Sequence, residues 1–376
     1  MQRVRVLTSA RPNDYDITIG SALLDRVGQI ARQHLGAETG SVTVISNKRV
    51  LRLYGSRITK SLAKSGFEVR TWVMREGERN KTLVEANRAL NSLNDAGVDR
   101  SGAVVALGGG VVGDLAGFVA SIYMRGIPII HVPTTLLAQI DASVGGKTGV
   151  NVARAKNAIG TFHQPRAVIV DLQTLTTLPR RELVAGCCEM VKQGAIASQQ
   201  LFKQTTAFLE NNKDFASTPA LEKLIAAHCR FKASVVAADE REQLSPTKGI
   251  SRRILNFGHT VGHALEVVTN YKRFRHGEAV GHGMLAAVEL SKNVGLLSES
   301  ELELLHEAVS LSGRLPSAND VDRNSIVAAL QSDKKRRSGH IQWVLLQGIG
   351  KPKVVDGREI SPALIKKSLA AALTRK

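Results

Sequence analysis

Cysteine is scarce in this chain: of 376 residues, only Cys187, Cys188 and Cys229 are cysteines. Two are adjacent and the third is distant, which excludes a zinc-finger spacing and a disulfide framework and suits a reducing compartment. Aromatic residues make up 4%, too few for the stacking platforms that hold single-stranded nucleic acids. No apolar run approaches the roughly 20 residues needed to cross a bilayer, and the opening stretch MQRVRVLTSARPNDYDITIG lacks the apolar centre of a signal peptide. Acidic residues are outnumbered, 33 against 51 basic ones, for a net charge of +18. The basic residues are scattered, with one dense run at Lys334-Lys335-Arg336-Arg337. Nucleic-acid binding, which concentrates its charge on one face, is therefore disfavoured. A positive field that gathers small, multiply anionic ligands fits better.

Hydrophobic residues reach 43% and charged residues 22%, enough for a sizeable core, and the length favours two domains. In the first part, short β-branched runs alternate with amphipathic stretches. Val42–Ile45, Val69–Val73, Ala103–Leu107, Ile127–Val132 and Ala167–Val170 read as strands, and Thr82–Asp95 as a helix. This alternation predicts an α/β domain with a parallel sheet over residues 1–178. After Leu178-Pro179 the pattern turns helical: Glu182–Ile196, Leu221–Ala238, His259–Thr269, Ala279–Val294 and Glu301–Leu311, with one strand at Ile341–Gln347. A mostly α-helical domain is expected over 179–376.

Four motifs carry chemistry. In Ala106-Leu107-Gly108-Gly109-Gly110-Val111-Val112-Gly113-Asp114 a strand meets glycines and then a helix. A pyrophosphate could approach the backbone there and meet free N–H groups; the alternative is a plain tight turn. Pro133-Thr134-Thr135 ends another strand with two hydroxyls. Asp141-Ala142-Ser143-Val144-Gly145-Gly146-Lys147-Thr148 resembles a truncated phosphate loop, although the P-loop glycine spacing is missing. Lys156, Asn157 and His163 follow, and with Arg125 they make a polar group in an apolar stretch. On a predicted helix, Glu189 and Lys192 share a face. They read either as a surface ion pair or, given Ala185, Cys187, Cys188 and Val191 around them, as an interior one. In Asn256-Phe257-Gly258-His259-Thr260-Val261-Gly262-His263 two histidines at i and i+4 stack on one helix face. His276 could return a third nitrogen, so with a buried Glu elsewhere a metal site is favoured. The absence of H-E-x-x-H excludes a zincin protease.

In this order the motifs resemble the 3-dehydroquinate synthase family, within the sugar-phosphate cyclases, from about Glu76 to Lys335. The resemblance implies a nucleotide-binding α/β domain, a helical metal-binding domain, bound NAD and a divalent zinc or cobalt. It also implies a cytoplasmic homodimer acting on an anionic sugar-acid phosphate in the shikimate route to aromatic amino acids. Carried over, the metal ligands are Glu189, His259 and His276. NAD would be held by Asn47, Glu78, Lys81, Gly110, Val111, Val112, Gly113, Asp114, Thr134, Thr135, Lys147, Lys156, Thr174 and Thr177. Catalysis would use Lys147, Lys192, His263, Asn157 and Asp141. Substrate would also meet Lys232, Arg252, Asn256 and Arg125, the last reaching a neighbouring subunit's site.

Three departures stand out. Cys188 replaces an alanine. His282, between Gly281 and Gly283, could bring a fourth imidazole near the metal. The segment Gln243–Ser251 is longer than usual, which leaves Arg252 and Arg253 as alternatives; Lys334 or Lys335 could also reach the site. Competing expectations are a polyol dehydrogenase, a cyclase of neutral sugar phosphates and a basic nucleic-acid-binding protein.

Overall fold

The computed structural model describes residues 14–152, 155–212, 215, 218–242, 251–336 and 341–374. The first half is built on strands β1 (Asp16–Gly20), β2 (Ser41–Asn47), β3 (Glu68–Met74), β4 (Ala103–Gly108), β5 (Ile129–Pro133), β6 (Lys147–Val152), β7 (Ala155–Phe162) and β8 (Ala167–Asp171). Its helices are α1 (Val27–Leu35), the single turn α2 (Lys48–Val50), α3 (Ser56–Lys64), α4 (Leu83–Asp95) and α5 (Gly110–Ile122). Six strands form one sheet in the order β1-β8-β5-β4-β2-β3, and every pairing in it is parallel. The edge strand, β1, falls in the polar, strand-like opening stretch.

β4 is buried at all six positions because helices cover both faces of the sheet, the usual fate of a parallel strand. Val105 and Leu107 pack with Leu24, Val27, Ile58 and Leu62 on one face. Val104 and Ala106 pack with Leu115, Val119 and Ala89 on the other. Each Val, Leu or Ile side chain among them contributes about 1.5–3 kcal/mol on burial.

The second half contains α6 (Arg180–Ala197), α7 (Gln199–Asn211), α8 (Pro219–Ala238), α9 (His259–Val268), α10 (His276–Asn293), α11 (Glu299–Leu311), α12 (Arg323–Arg336) and α13 (Pro362–Thr374). The antiparallel pair β9 (Gln342–Leu346) and β10 (Pro352–Asp356) completes it. Local signals set several starts: Thr82 caps α4 by accepting from Glu85 N–H, and Thr218 caps α8 ahead of Pro219, an arrangement that satisfies the first free N–H groups. One core joins the halves, with Leu136, Ile140, Val168 and Val170 packed among Cys187, Val191, Leu224 and Leu302. α6 is buried continuously from Leu183 to Ile196, so Glu189 and Lys192 are interior residues and not a surface pair.

The stretch read as a truncated phosphate loop has a different form. Gly145-Gly146 leads into β6, which pairs antiparallel with β7. Lys147 therefore begins a hairpin strand, with no helix N-terminus behind it to hold a phosphate. The glycines serve the turn itself, at φ +96 and +64.

Candidate active site between the sheet edge and the helical half

Strand order reverses between β2 and β4, the place where open parallel sheets leave a crevice beyond their carboxyl ends. Asn47 ends β2 and caps the next turn by accepting from Val50 N–H. Gly109 follows β4; a Cβ there would stand 2.9 Å from Thr135 Cγ2, so only glycine lets the β4 and β5 turns close on each other. The N–H groups of Val112 and Gly113 turn back to Gly109 O at 3.0 and 3.1 Å. Those of Gly110 and Val111, at the first positions of α5, have no intrahelical acceptor. Val112 itself packs in the core. Thr134 is buried after β5. Of the two threonines expected near the nicotinamide, Thr177 is exposed. Thr174 is buried, its hydroxyl bonded to Asp171 O and Gln139 Nε2, so it offers no free hydroxyl to a ring.

Beside this edge, Lys81 is only 3% exposed. Its ammonium reaches Asp114 Oδ2 at 2.8 Å, Asn157 Oδ1 at 2.6 Å and Glu78 Oε1 at 3.2 Å. Burial opposes that charge, but Asp114 and Glu78 outweigh burial and raise the Lys81 pKa. Asn157 adopts a left-handed φ of +51, and its Oδ1 joins the Lys81 group.

A second cluster surrounds Asp141. Lys192 Nζ lies 3.2 Å from Asp141 Oδ2 and 2.6 Å from Glu189 Oε2. Lys232 bonds both the carboxylate and the backbone carbonyl of Asp141. Burial would raise the Asp141 carboxyl, yet the two ammoniums hold it well below the usual carboxylate range. Burial also works against both lysines: Lys192 has two carboxylates and is raised, while Lys232 has one and is lowered. Arg252, 2% exposed, donates to Glu240 O at 2.7 Å and Gly145 O at 3.0 Å. Arg253 turns away to Gln342, so Arg252 is the arginine on the cluster's side. Lys147 pairs with Glu242, whose other oxygen accepts from Asn256 Nδ2 at 3.4 Å. Sequence reasoning did not single out Glu242, which stands just before the long Gln243–Ser251 segment; residues 243–250 lie outside the described residues.

The third cluster is histidine-rich. Nitrogens of His259, His263 and His276 lie within 4.8 Å of one another. Glu189 Oε1 is 3.9 Å from His259 Nε2 and 3.7 Å from His276 Nε2. The triplet of imidazoles and the set containing Glu189 share His259 and His276. The carboxylate set has the better donor chemistry, because Glu189 Oε1 is buried and accepts no hydrogen bond, a costly state for an anionic oxygen unless a cation sits beside it. Tetrahedral zinc with bonds of about 2.0–2.1 Å places its donors roughly 3.4 Å apart, so the residues fit a divalent ion.

Two features pre-set the imidazoles. Gly258 takes φ +78 at the start of α9, and a Cβ there would meet Met284 Cγ at 2.7 Å, so α10 can approach only a glycine. Burial, with Lys192 and the neighbouring imidazoles, pushes His259 well below its ordinary pKa, which keeps a lone pair available. Behind His276 stands Glu266, which the sequence reading passed over. Its place, i+7 from His259 and hence on the same helix face, was the available signal.

Some expected residues lie elsewhere. Arg125 is exposed in the turn after α5 at φ +67, and Met124 beside it is at +49. His282 does not add a fourth imidazole; its Nε2 meets Pro316 O at 2.8 Å and its ring abuts Phe274. His163 is structural, its Nε2 2.9 Å from Ile127 O. The side chains of Lys334 and Lys335 lie outside the described residues. Among the described residues, no helix is long and apolar enough to cross a membrane.

Residues 71–185 match the family described as 3-dehydroquinate synthase N-terminal, and residues 186–336 match 3-dehydroquinate synthase C-terminal. A 3-dehydroquinate synthase of Symbiobacterium thermophilum is 44% identical, covering 95% of this chain and 97% of its own. Among solved structures, 2-epi-5-epi-valiolone synthase from Streptomyces hygroscopicus subsp. jinggangensis 5008, with NAD+ and Zn2+ bound, superposes with a TM-score of 0.87 at 27% identity over 100% of both chains. A 2-deoxy-scyllo-inosose synthase complexed with carbaglucose-6-phosphate, NAD+ and Co2+ gives 0.81 at 29%, covering 94% of this chain and 96% of its own. With matched regions that meet at residues 185 and 186 and a full-length relative at that identity, the chain belongs to the 3-dehydroquinate synthase family.

Proposed function

We propose that this chain converts 3-deoxy-D-arabino-heptulosonate 7-phosphate to 3-dehydroquinate and phosphate, with NAD and a divalent zinc or cobalt ion. The observation that carries this reading is the convergence of Glu189, His259 and His276 beside the buried Lys192–Asp141–Lys232 cluster. Glu189, His259 and His276 would hold the metal. Asn47, Glu78, Lys81, the Gly110–Asp114 turn, Thr134, Thr135, Lys156 and Thr177 would hold NAD. When bound, NAD supplies a reversible hydride acceptor, and the metal lowers the pKa of substrate hydroxyls and polarises a carbonyl.

The chain's own residues then bind, orient and move protons. Lys147 and Lys192 neutralise the phosphate. Lys232, Arg252 and Asn256 hold the carboxylate, with Asp141 fixing the two lysines. His263 takes and returns the proton at the C5 oxygen. Asn157, held by Lys81, supports the edge shared by phosphate and dinucleotide. Arg125 reaches the site of a second copy in a homodimer, and the enzyme works in the cytoplasm. Residues 1–178 form the dinucleotide domain and 179–376 the metal and substrate domain, with the boundary at Pro179, just before α6.

A polyol dehydrogenase would act on substrates without phosphate or carboxylate, leaving this basic lining without a purpose. Purified protein with NAD and Zn2+ is expected to release phosphate from 3-deoxy-D-arabino-heptulosonate 7-phosphate without net NADH. Net NADH formation from simple polyols, with no phosphate release, would overturn the assignment.

A further inference from the structure

Glu266 lies on the same face of α9 as His259 and His263 and is 2% exposed. Its two carboxylate oxygens are divided. Oε2 meets His276 Nδ1 at 3.4 Å, and Oε1 meets Lys156 Nζ at 2.8 Å. The three residues come from three elements, β7, α9 and α10, so one side chain ties the hairpin to both helices. A carboxylate behind an imidazole fixes which ring nitrogen carries the proton and raises the basicity of the other. Because a carboxylate can only accept, the Nδ1 beside Glu266 is the nitrogen that carries the proton, which leaves Nε2, 3.7 Å from Glu189, with its lone pair for a cation.

The Lys156 end is also built. Its ammonium lies 4.5 Å from the centroid of the Tyr271 ring. Tyr271 reaches that place from a backbone of φ +56, directly after Asn270 at +52. A left-handed tyrosine is an uncommon state with a conformational cost. It is held by the Tyr271 N–H bond to Glu266 O at 2.7 Å.

We propose that Glu266 is a positioning residue that orients His276 toward the metal and Lys156 toward the dinucleotide, holding both from one carboxylate. The inference rests on the assignment of His276 to the metal and Lys156 to NAD.

The test uses the full chain as Glu266→Gln and Glu266→Leu. Zn2+ affinity is measured by competition with a chromophoric chelator, NAD affinity by calorimetry, and the visible absorption of the Co2+ form by spectroscopy. Leucine removes both acceptors and is expected to weaken Zn2+ about 10- to 100-fold, the usual effect of losing such a partner, and to weaken NAD several-fold. Glutamine keeps one acceptor and is expected to fall between wild type and Leu, with an altered Co2+ spectrum. A Leu variant that binds Zn2+ within threefold of wild type overturns the proposal. So does unchanged NAD affinity, for the Lys156 arm. If Leu does not fold, an unchanged Zn2+ affinity and Co2+ spectrum in the Gln variant overturn it instead. His259→Ala, run in parallel, separates the two levels. Loss of Zn2+ there with none in the Glu266 variants removes only this inference, whereas no loss in either removes the metal assignment beneath it.

Discussion

Lys192 and Glu189 stand one turn apart on α6 and close to 2.6 Å, with each side chain 1% exposed. Removing one partner of a buried pair leaves a charge that nothing compensates, at a cost of about 3–5 kcal/mol. Lys192→Met strips the ammonium from Glu189 and leaves Asp141 with Lys232 alone. It is expected to lower unfolding stability by about that amount in urea titration. A loss within 1 kcal/mol would mean that the two carboxylates find another cation.

Removing a metal-side donor acts on chemistry more than on folding. Glu189→Gln and His259→Ala are each expected to reduce bound zinc well below one equivalent by elemental analysis. Phosphate release should fall about a thousand-fold, because the metal supplies several kcal/mol of charge stabilisation. Full zinc occupancy in both variants would contradict the ligand set.

Arg252 and Arg253 are adjacent but face different ways, toward Gly145 and toward Gln342. Arg252→Gln is expected to lower kcat/KM about 100-fold, since a charged contact in a desolvated site is worth several kcal/mol. Arg253→Gln should stay within about threefold, as exposed contacts do. The reverse ranking would show that the long Gln243–Ser251 segment had shifted the alignment by one residue.

His228 is fully buried between Thr205 and Gln193, and burial lowers its pKa to about 3. The unfolded imidazole titrates near about 6.5, so between these values the unfolded chain binds the extra proton. Its contribution is present above about pH 6.5 and is lost as pH falls toward about 3, amounting to about 2 kcal/mol between pH 7 and pH 5. His228→Gln should flatten the stability–pH curve in that window by this amount, measured by urea unfolding at each pH. Parallel curves for variant and wild type would refute the assignment.

Runs such as Ala103–Leu107 and the 3.6-residue spacing of the later segments were enough to read the parallel sheet and most of the long helices, because side-chain periodicity is a local property of the backbone. The His259–His263 pair was legible for the same reason, being two turn-related positions on one helix. The β6–β7 hairpin was not. Gly-Gly-Lys-Thr is compatible with a helix start or a strand start, and the adjoining partner strand, Ala155–Phe162, is exposed or half-buried at every position, so it carries no strand periodicity.

What the order of residues determined by itself was the parallel strands of the sheet, most of the long helices and the identity of the groups able to bind a cation or an anion; that α6 is buried throughout came only from the packing around it. Tertiary structure alone decided that Glu189, on α6, meets two imidazoles from α9 and α10, that Arg252 and not Arg253 turns inward, and that Glu266 serves two residues at once. Such contacts depend on how closely the helices cross, as at Gly258 against Met284. A crossing is set by packing between surfaces distant along the chain, which no periodicity within either helix records.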